Sequence, residues 1–237
     1  MEFLSNTDCL HQGGLEDAMR LLVINANTSQ GVTDLCCRAA RMVAAPGTEI
    51  VGLTAEYGAR IIENRAQNVV GAHAVLDMLG RNASDADAAL IAVSYDTGLK
   101  AAQEMVPFPV LGMTQAALLT ASLRGDRLGM LTFGTPHIYR ELAVQYGMAD
   151  RIAAIRTLPV EPGDAYANPS AVIDAVKAAG EALVSADGAD SIVLCGAALA
   201  GMSLRLTPHF RVPVIDGIVT GTMLCEGLVR LGALRRL

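Results

Sequence analysis

The chain has 237 residues, 52% of them hydrophobic and 18% charged, with a formal net charge of −6 and no Trp. That balance excludes a disordered chain and allows an aliphatic core in one large domain or two small ones. The acidity, with no Lys/Arg run beyond Arg235-Arg236, argues against nucleic acid and membrane partners, and no apolar run approaches the ~20 residues of a membrane span. Residues 1–18 are polar and aperiodic; they read as a flexible extension and lack the basic-then-apolar layout of a secretory signal. Cys9, Cys36, Cys37, Cys195 and Cys225 are an odd number without framework spacing, which points to reduced thiols in a cytoplasmic protein. None stands at zinc-ligand spacing from a His or Cys, so no metal site is expected.

In chain order, residues 21–24 read as a buried strand, followed by Asn25-Ala-Asn27-Thr28-Ser29. Those polar side chains suit the start of a helix over about 30–44 that ends at Pro46-Gly47. Residues 49–54 form a second strand, after which Tyr57-Gly58 is placed to close over a ligand. Apolar spacing at Val69, Val70, Ala72, Val75 and Leu76 predicts a helix over about 64–80. A strand at 90–93, a helix at 98–105, a strand at 109–112 and a helix at 115–124 follow. The pattern then restarts. A strand at 128–131 runs into Thr132-Phe133-Gly134-Thr135-Pro136 and a helix over about 137–146. Residues 152–158 are a strand, 162–169 a loop, and a helix runs from about 170 to 186. Strands at 192–195 and 213–215 precede a closing helix over about 218–231.

Three landmarks recur in order and at nearly equal spacing: residues 21–28 match 128–135, 87–94 match 190–197, and 109–112 match 213–216. Such a repeat predicts a duplicated lobe. The expected fold is α/β, with two pseudo-symmetric parallel-sheet lobes. Residues 19–113 plus about 213–237 would form the first lobe and 114–212 the second, with the site in the interlobe cleft. The loops beginning at Val93-Ser94 and Cys195-Gly196 would then oppose each other across a ligand. Asn25, Thr28, Thr132 and Thr135 would add neutral donors and helix N-termini suited to a carboxylate or imide oxygen. Plainer readings stand beside these. Cys195 on a strand end can be a core thiol, the Asn and Thr side chains can be helix caps, and Asp216-Gly217 can be a turn before the last helix. Cys36, Cys37 and Cys225 read as packing residues, and His73, His137 and His209 as surface positions.

The motifs Asn25-Ala-Asn27-Thr28-Ser29, Val43-Ala-Ala-Pro46-Gly47-Thr48-Glu49-Ile50, Asp96-Thr97-Gly98-Leu99, Ala197-Ala-Leu-Ala-Gly201-Met202 and Pro213-Val-Ile-Asp216-Gly217 resemble the aspartate/glutamate/hydantoin racemase superfamily. The hydantoin and allantoin racemase branch is the nearest in pattern, over about residues 19–234. The resemblance implies an interlobe site, a small-molecule substrate that is a carboxylate or a cyclic imide or ureide, no cofactor, and a homo-oligomer. It also implies two cysteines on opposite faces of the substrate carbon, one removing a proton and the other delivering one. This chain departs from that pattern. The first cysteine position is Val93, with Ser94 beside it, and the second is Gly196, with Cys195 before it.

The resulting expectation is a cofactor-independent racemase or isomerase of a hydantoin-like or amino-acid-derived compound. Cys195 and Ser94 would be catalytic, with Tyr95 or Asp96 assisting. Asn25, Thr28, Tyr57, Val93, Tyr95, Thr114, Thr132, Gly134, Thr135, Gly196 and Ala197 would bind substrate. The alternatives are a single-cysteine lyase (a decarboxylase) or hydrolase on the same scaffold, and a non-catalytic binding homologue.

Overall fold

A computed structural model describes residues 19–134 and 136–234, so the 1–18 extension and Thr135 lie outside the described residues. Strands β1 (Arg20–Asn25), β2 (Glu49–Thr54), β3 (Ala88–Ile91) and β4 (Val110–Gly112) form one parallel sheet in the order β2-β1-β3-β4. Strands β5 (Leu128–Thr132), β6 (Ile152–Thr157), β7 (Ser191–Cys195) and β8 (Val214–Asp216) form a second in the order β6-β5-β7-β8, also parallel. The repeat in sequence is therefore a repeat in topology. Its landmark aspartates do the same job in each half. Asp87 accepts the Arg20 N–H at 2.8 Å, and Asp190 accepts the Asp126 and Arg127 N–H groups at 2.9 Å each, so each carboxylate fixes the entry of the central strand beside it.

Parallel sheets are covered on both faces, and the aliphatic runs meet that need. Helices α1 (Gln30–Arg41) and α9 (Gly217–Leu234) cover Leu21, Val23 and Leu90 on one face of the first sheet. Helices α2 (Arg65–Asn82) and α3 (Leu99–Met105) cover Leu22, Ile24 and Ile91 on the other. In the second sheet, α7 (Pro169–Ser185) and α8 (Met202–Leu206) pack on Leu131, Ile192 and Leu194. Helices α4 (Met113–Ser122) and α5 (Pro136–Gln145) pack on Met130, Val193 and Cys195. Strand alternation thus assigns Cys195 to the α4/α5 side.

Helices α4 and α9 cross between the halves. Helix α4 leaves the first sheet at β4 and packs against β7 and β8, whereas α9 leaves the second sheet at β8 and packs against β3 and β4. The two helices also pack on each other. This exchange corrects the expected division of the chain at about 213. The strand at 214–216 pairs with β7 and belongs to the second sheet, and the chain crosses only with the helix after it. The stretch expected as a loop at 162–169 holds a short helix, α6 (Pro162–Ala167), with proline at its start, where its missing N–H costs nothing.

Candidate active site

The carboxyl ends of both sheets open on one cleft of about 770 Å³. From the first lobe it is lined by Val93, Ser94 and Tyr95 after β3, by Asn27 and Ser29 after β1, and by Arg60–Glu63 after β2. From the second lobe come Cys195, Gly196 and Ala197 after β7, Phe133 and Gly134 after β5, Tyr139 on α5, and Glu161–Gly163 at the start of α6. Strand ends in parallel sheets collect ligand sites because the loops and helix N-termini that follow them converge there. Here two such sets face each other.

Cys195 is the last residue of β7, in register with Thr132 of β5. It lines the cleft yet is only 1% exposed, packed with Tyr95, Tyr139, Met130 and Val193. Burial pushes its thiol well above the usual range, and the nearby Asp96 carboxylate raises it further. At neutral pH the resting form is therefore the thiol. Among the described residues it is the only cysteine that lines the cleft; Cys36, Cys37 and Cys225 are buried elsewhere in the first lobe's core.

From the first lobe, Ser94 Oγ lies 2.9 Å from Tyr139 Oη, a contact between lobes. The Ser94 backbone is fixed by Thr114, whose hydroxyl donates to the Ser94 carbonyl at 2.7 Å. Just beyond, Asp96 sits at φ 47°, in the left-handed region that Asp tolerates better than most residues. Its carboxylate accepts from Thr114 N (2.9 Å), Gln115 N (2.8 Å) and the Tyr146 hydroxyl (2.6 Å). Burial outweighs those three donors and pushes Asp96 up to about 7. Gly98, at φ 73°, and Gly201, at φ 78°, open α3 and α8 at matching places in the two lobes. A left-handed turn without a Cβ starts each of these helices.

The structure brings together seven of the site residues expected from the sequence: Cys195, Ser94, Val93, Tyr95, Gly134, Gly196 and Ala197. Others of the set stand behind the cleft wall. Asn25 is fully buried, and its amide donates to Asn27 Oδ1, the Ser29 carbonyl and Thr33 Oγ1, so it shapes the loop and leaves Asn27 to face the cleft. Thr28 binds Ala59 through its backbone N–H, Thr114 holds Ser94, and the buried Thr132 accepts the Gly134 N–H at 3.0 Å. Tyr57 does not cover the cleft: its hydroxyl pairs with His73 on α2, and Arg60–Glu63 occupy the rim instead. Thr135 lies outside the described residues. Sequence reading missed Tyr139 and the Arg60–Glu63 rim. The only signal for Tyr139 was its place on the buried face of α5 with Leu142 and Ala143.

Duplicated parallel lobes, matching strand-end turns and a thiol at the edge of the cleft between them define a two-lobed α/β protein with one cleft at its pseudo-symmetric centre. The chain belongs to the Asp/Glu/hydantoin racemase family, whose model matches residues 21–225. It is 32% identical over 218 residues to the hydantoin racemase of Pseudomonas sp. (strain NS671), an alignment covering 90% of this chain and 87% of that protein. Among solved structures it is similar to the allantoin racemase from Klebsiella pneumoniae, with 34% identity and a TM-score of 0.86 over 90% of this chain and 89% of that one. The allantoin racemase from Pseudomonas fluorescens gives 31% identity and a TM-score of 0.85 over 90% and 92%. Among the described residues, no helix is long and apolar enough to cross a membrane.

Proposed function

We propose that the protein is a cofactor-independent racemase that moves the proton on a carbon beside a carbonyl in a hydantoin-like or amino-acid-derived small molecule. Cys195 acts on one face of that carbon and Ser94 on the other. The observation that supports this most is that Cys195 and Ser94, from equivalent strand ends of the two lobes, line the same ligand-sized cleft. One C–H bond breaks as the Cys195 thiolate takes its proton, and a new C–H bond forms on the opposite face as the Ser94 hydroxyl gives one up. The enolate between these steps needs donors at its oxygen, and Asn27, Ser29 and the opening turn of α1 supply them. Because the resting thiol is protonated, the rate rises with pH as the thiolate fraction grows.

A second reading has its own support. A lone thiol held in its protonated form suits a lyase that only protonates the carbanion left by departing CO₂, and Val93, Ile61, Ile62 and Phe133 give the cleft apolar walls. The same enzyme preparation separates the two. Optical rotation is followed on D- and L-5-methylhydantoin and 5-benzylhydantoin, and CO₂ release on α-substituted malonates. The racemase reading expects decay of rotation without gas. CO₂ release with unchanged hydantoin rotation replaces it with the lyase. We also read the protein as a cytoplasmic homo-oligomer: its four described cysteines are free thiols, and Val69, Leu123 and Val144 stand exposed as large apolar side chains.

A further inference from the structure

Ser94 is the end of a chain of hydroxyls. Its Oγ meets Tyr139 Oη at 2.9 Å, and the Thr132 side chain, in register beside Cys195, lies near the same phenol. Thr132 Oγ1 in turn accepts the Gly134 N–H at 3.0 Å. Tyr139 is 2% exposed, and its ring stands edge-on to Tyr95 with centroids 5.7 Å apart, so the phenol has little freedom to leave this arrangement.

The fixed end biases the direction of donation. A backbone N–H can only donate, so Thr132 Oγ1 accepts from Gly134 and keeps its own proton free to turn toward the phenol. Either oxygen can donate in the Ser94–Tyr139 contact, and in the productive arrangement Tyr139 gives its proton to Ser94 Oγ. Ser94, accepting in turn, aims its proton into the cleft that Cys195 also lines. Burial raises the Tyr139 phenol well above its usual range, with the neighbouring Cys195 adding to the shift and the Ser94 and Thr132 side chains opposing it. The phenol therefore stays protonated at rest and serves as a donor.

We propose that Tyr139 is a positioning residue that orients the Ser94 hydroxyl toward the substrate, and that Thr132, Tyr139 and Ser94 form a hydroxyl relay doing on one face what a second thiol would do. The proposal rests on the racemase reading above. Its protons balance. Cys195 gains the proton lost by the substrate carbon, Ser94 gives one to the opposite face, and Tyr139 re-protonates Ser94. The resulting phenolate regains its proton from the Cys195 thiol through solvent, which restores the starting state.

The test is Tyr139→Phe, which keeps the ring and deletes the hydroxyl. Each enantiomer of 5-benzylhydantoin is incubated in D₂O. Inversion is read by chiral chromatography and deuterium at C5 by NMR, across a pH series. The relay expects the ratio of inversion to exchange to fall about tenfold or more, with a changed pH profile, because with the Ser94 side impaired the enolate lasts long enough for the Cys195 thiol to exchange with solvent before it returns its proton. It also expects Ser94→Cys to make the phenol dispensable, so that adding Tyr139→Phe to Ser94→Cys costs less than about twofold. An unchanged ratio and pH profile in Tyr139→Phe overturns the relay alone. So does a proportional loss of both rates with a lowered melting temperature, which marks a structural role. A wild-type protein that exchanges neither enantiomer removes the racemase reading and the relay with it.

Discussion

After β3 the chain presents Val93, Ser94 and Tyr95 to the cleft, whereas after β7 it presents Cys195, Gly196 and Ala197. The frames beneath these turns match in strand order, in strand-entry aspartate and in left-handed glycine. Their tie to the helix that crosses lobes also matches, but the tie is built from opposite ends. In the first lobe Asp96 on the turn reaches the opening N–H groups of α4 at Thr114 and Gln115. In the second, Asp216 at the end of β8 caps α9 at Ile218 and Val219 and reaches back to the turn at Gly201 N. A carboxylate between turn and helix is what both lobes require; which residue carries it is free to change. The same frame that tolerates this exchange tolerates a thiol on one side and a hydroxyl on the other.

The largest effect expected from breaking the pair is at its thiol. Cys195→Ala should lower C5–H exchange on 5-substituted hydantoins by about a thousandfold or more, while unfolding free energy falls by only ~1 kcal/mol for the small cavity. Exchange rates by NMR and urea denaturation check the two numbers. Next comes the glycine that makes room for the first lobe's carboxylate. A Cβ at Gly112 would lie 2.2 Å from Asp96 Cγ, so Gly112→Ala should destabilise by about 3 kcal/mol or more in denaturant titrations. The second lobe has Asp216 at the equivalent position.

A smaller effect tests the carboxylates themselves. Burial raises Asp96 to about 7 and Asp216 to about 6, well above the ~4 of an unfolded aspartate. A raised carboxylate favours the folded state when protonated, so its contribution is complete below about pH 4 and is lost as pH rises through the folded value. Wild-type stability should therefore fall by roughly 1–3 kcal/mol between about pH 4 and pH 7. Asp96→Asn should flatten the upper part of that fall and leave the Asp216 part, between about pH 4 and 6. Melting curves across that range decide it; an unchanged profile places Asp96 outside the titration.

The two-lobed fold was legible because strands and turns are local and the repeat set them side by side. Asp87 and Asp190 recur at the same point before a central strand, and each turns out to bind the strand entry next to it. Less legible was whatever depends on how the lobes meet. Strand β8 is continuous with α9 in sequence, yet sheet pairing and helix packing assign them to different halves. Helix α8 has only five residues, too few for apolar periodicity to show. Tyr139 lies 45 residues from Ser94 and on the other lobe, so no spacing rule links them. Tyr57 followed the right strand, but its phenol found His73 on α2. Asn25 and Thr132 are polar groups at strand ends whose hydrogen bonds shape the loops behind the cleft, a role that composition alone does not separate from ligand contact.

The central claim is that proton transfer runs across the cleft between a thiol and a hydroxyl on opposite faces of one carbon. Early-time deuterium distribution tests it most directly. L-5-benzylhydantoin is incubated with the wild-type protein in D₂O and sampled in the first few per cent of conversion, with both enantiomers analysed for deuterium at C5. Two groups on opposite faces predict deuterium in the inverted enantiomer while the remaining starting enantiomer stays largely protonated, since Cys195 returns the proton it took. Equal deuterium in both enantiomers from the first time point would show one group serving both faces and contradict the account.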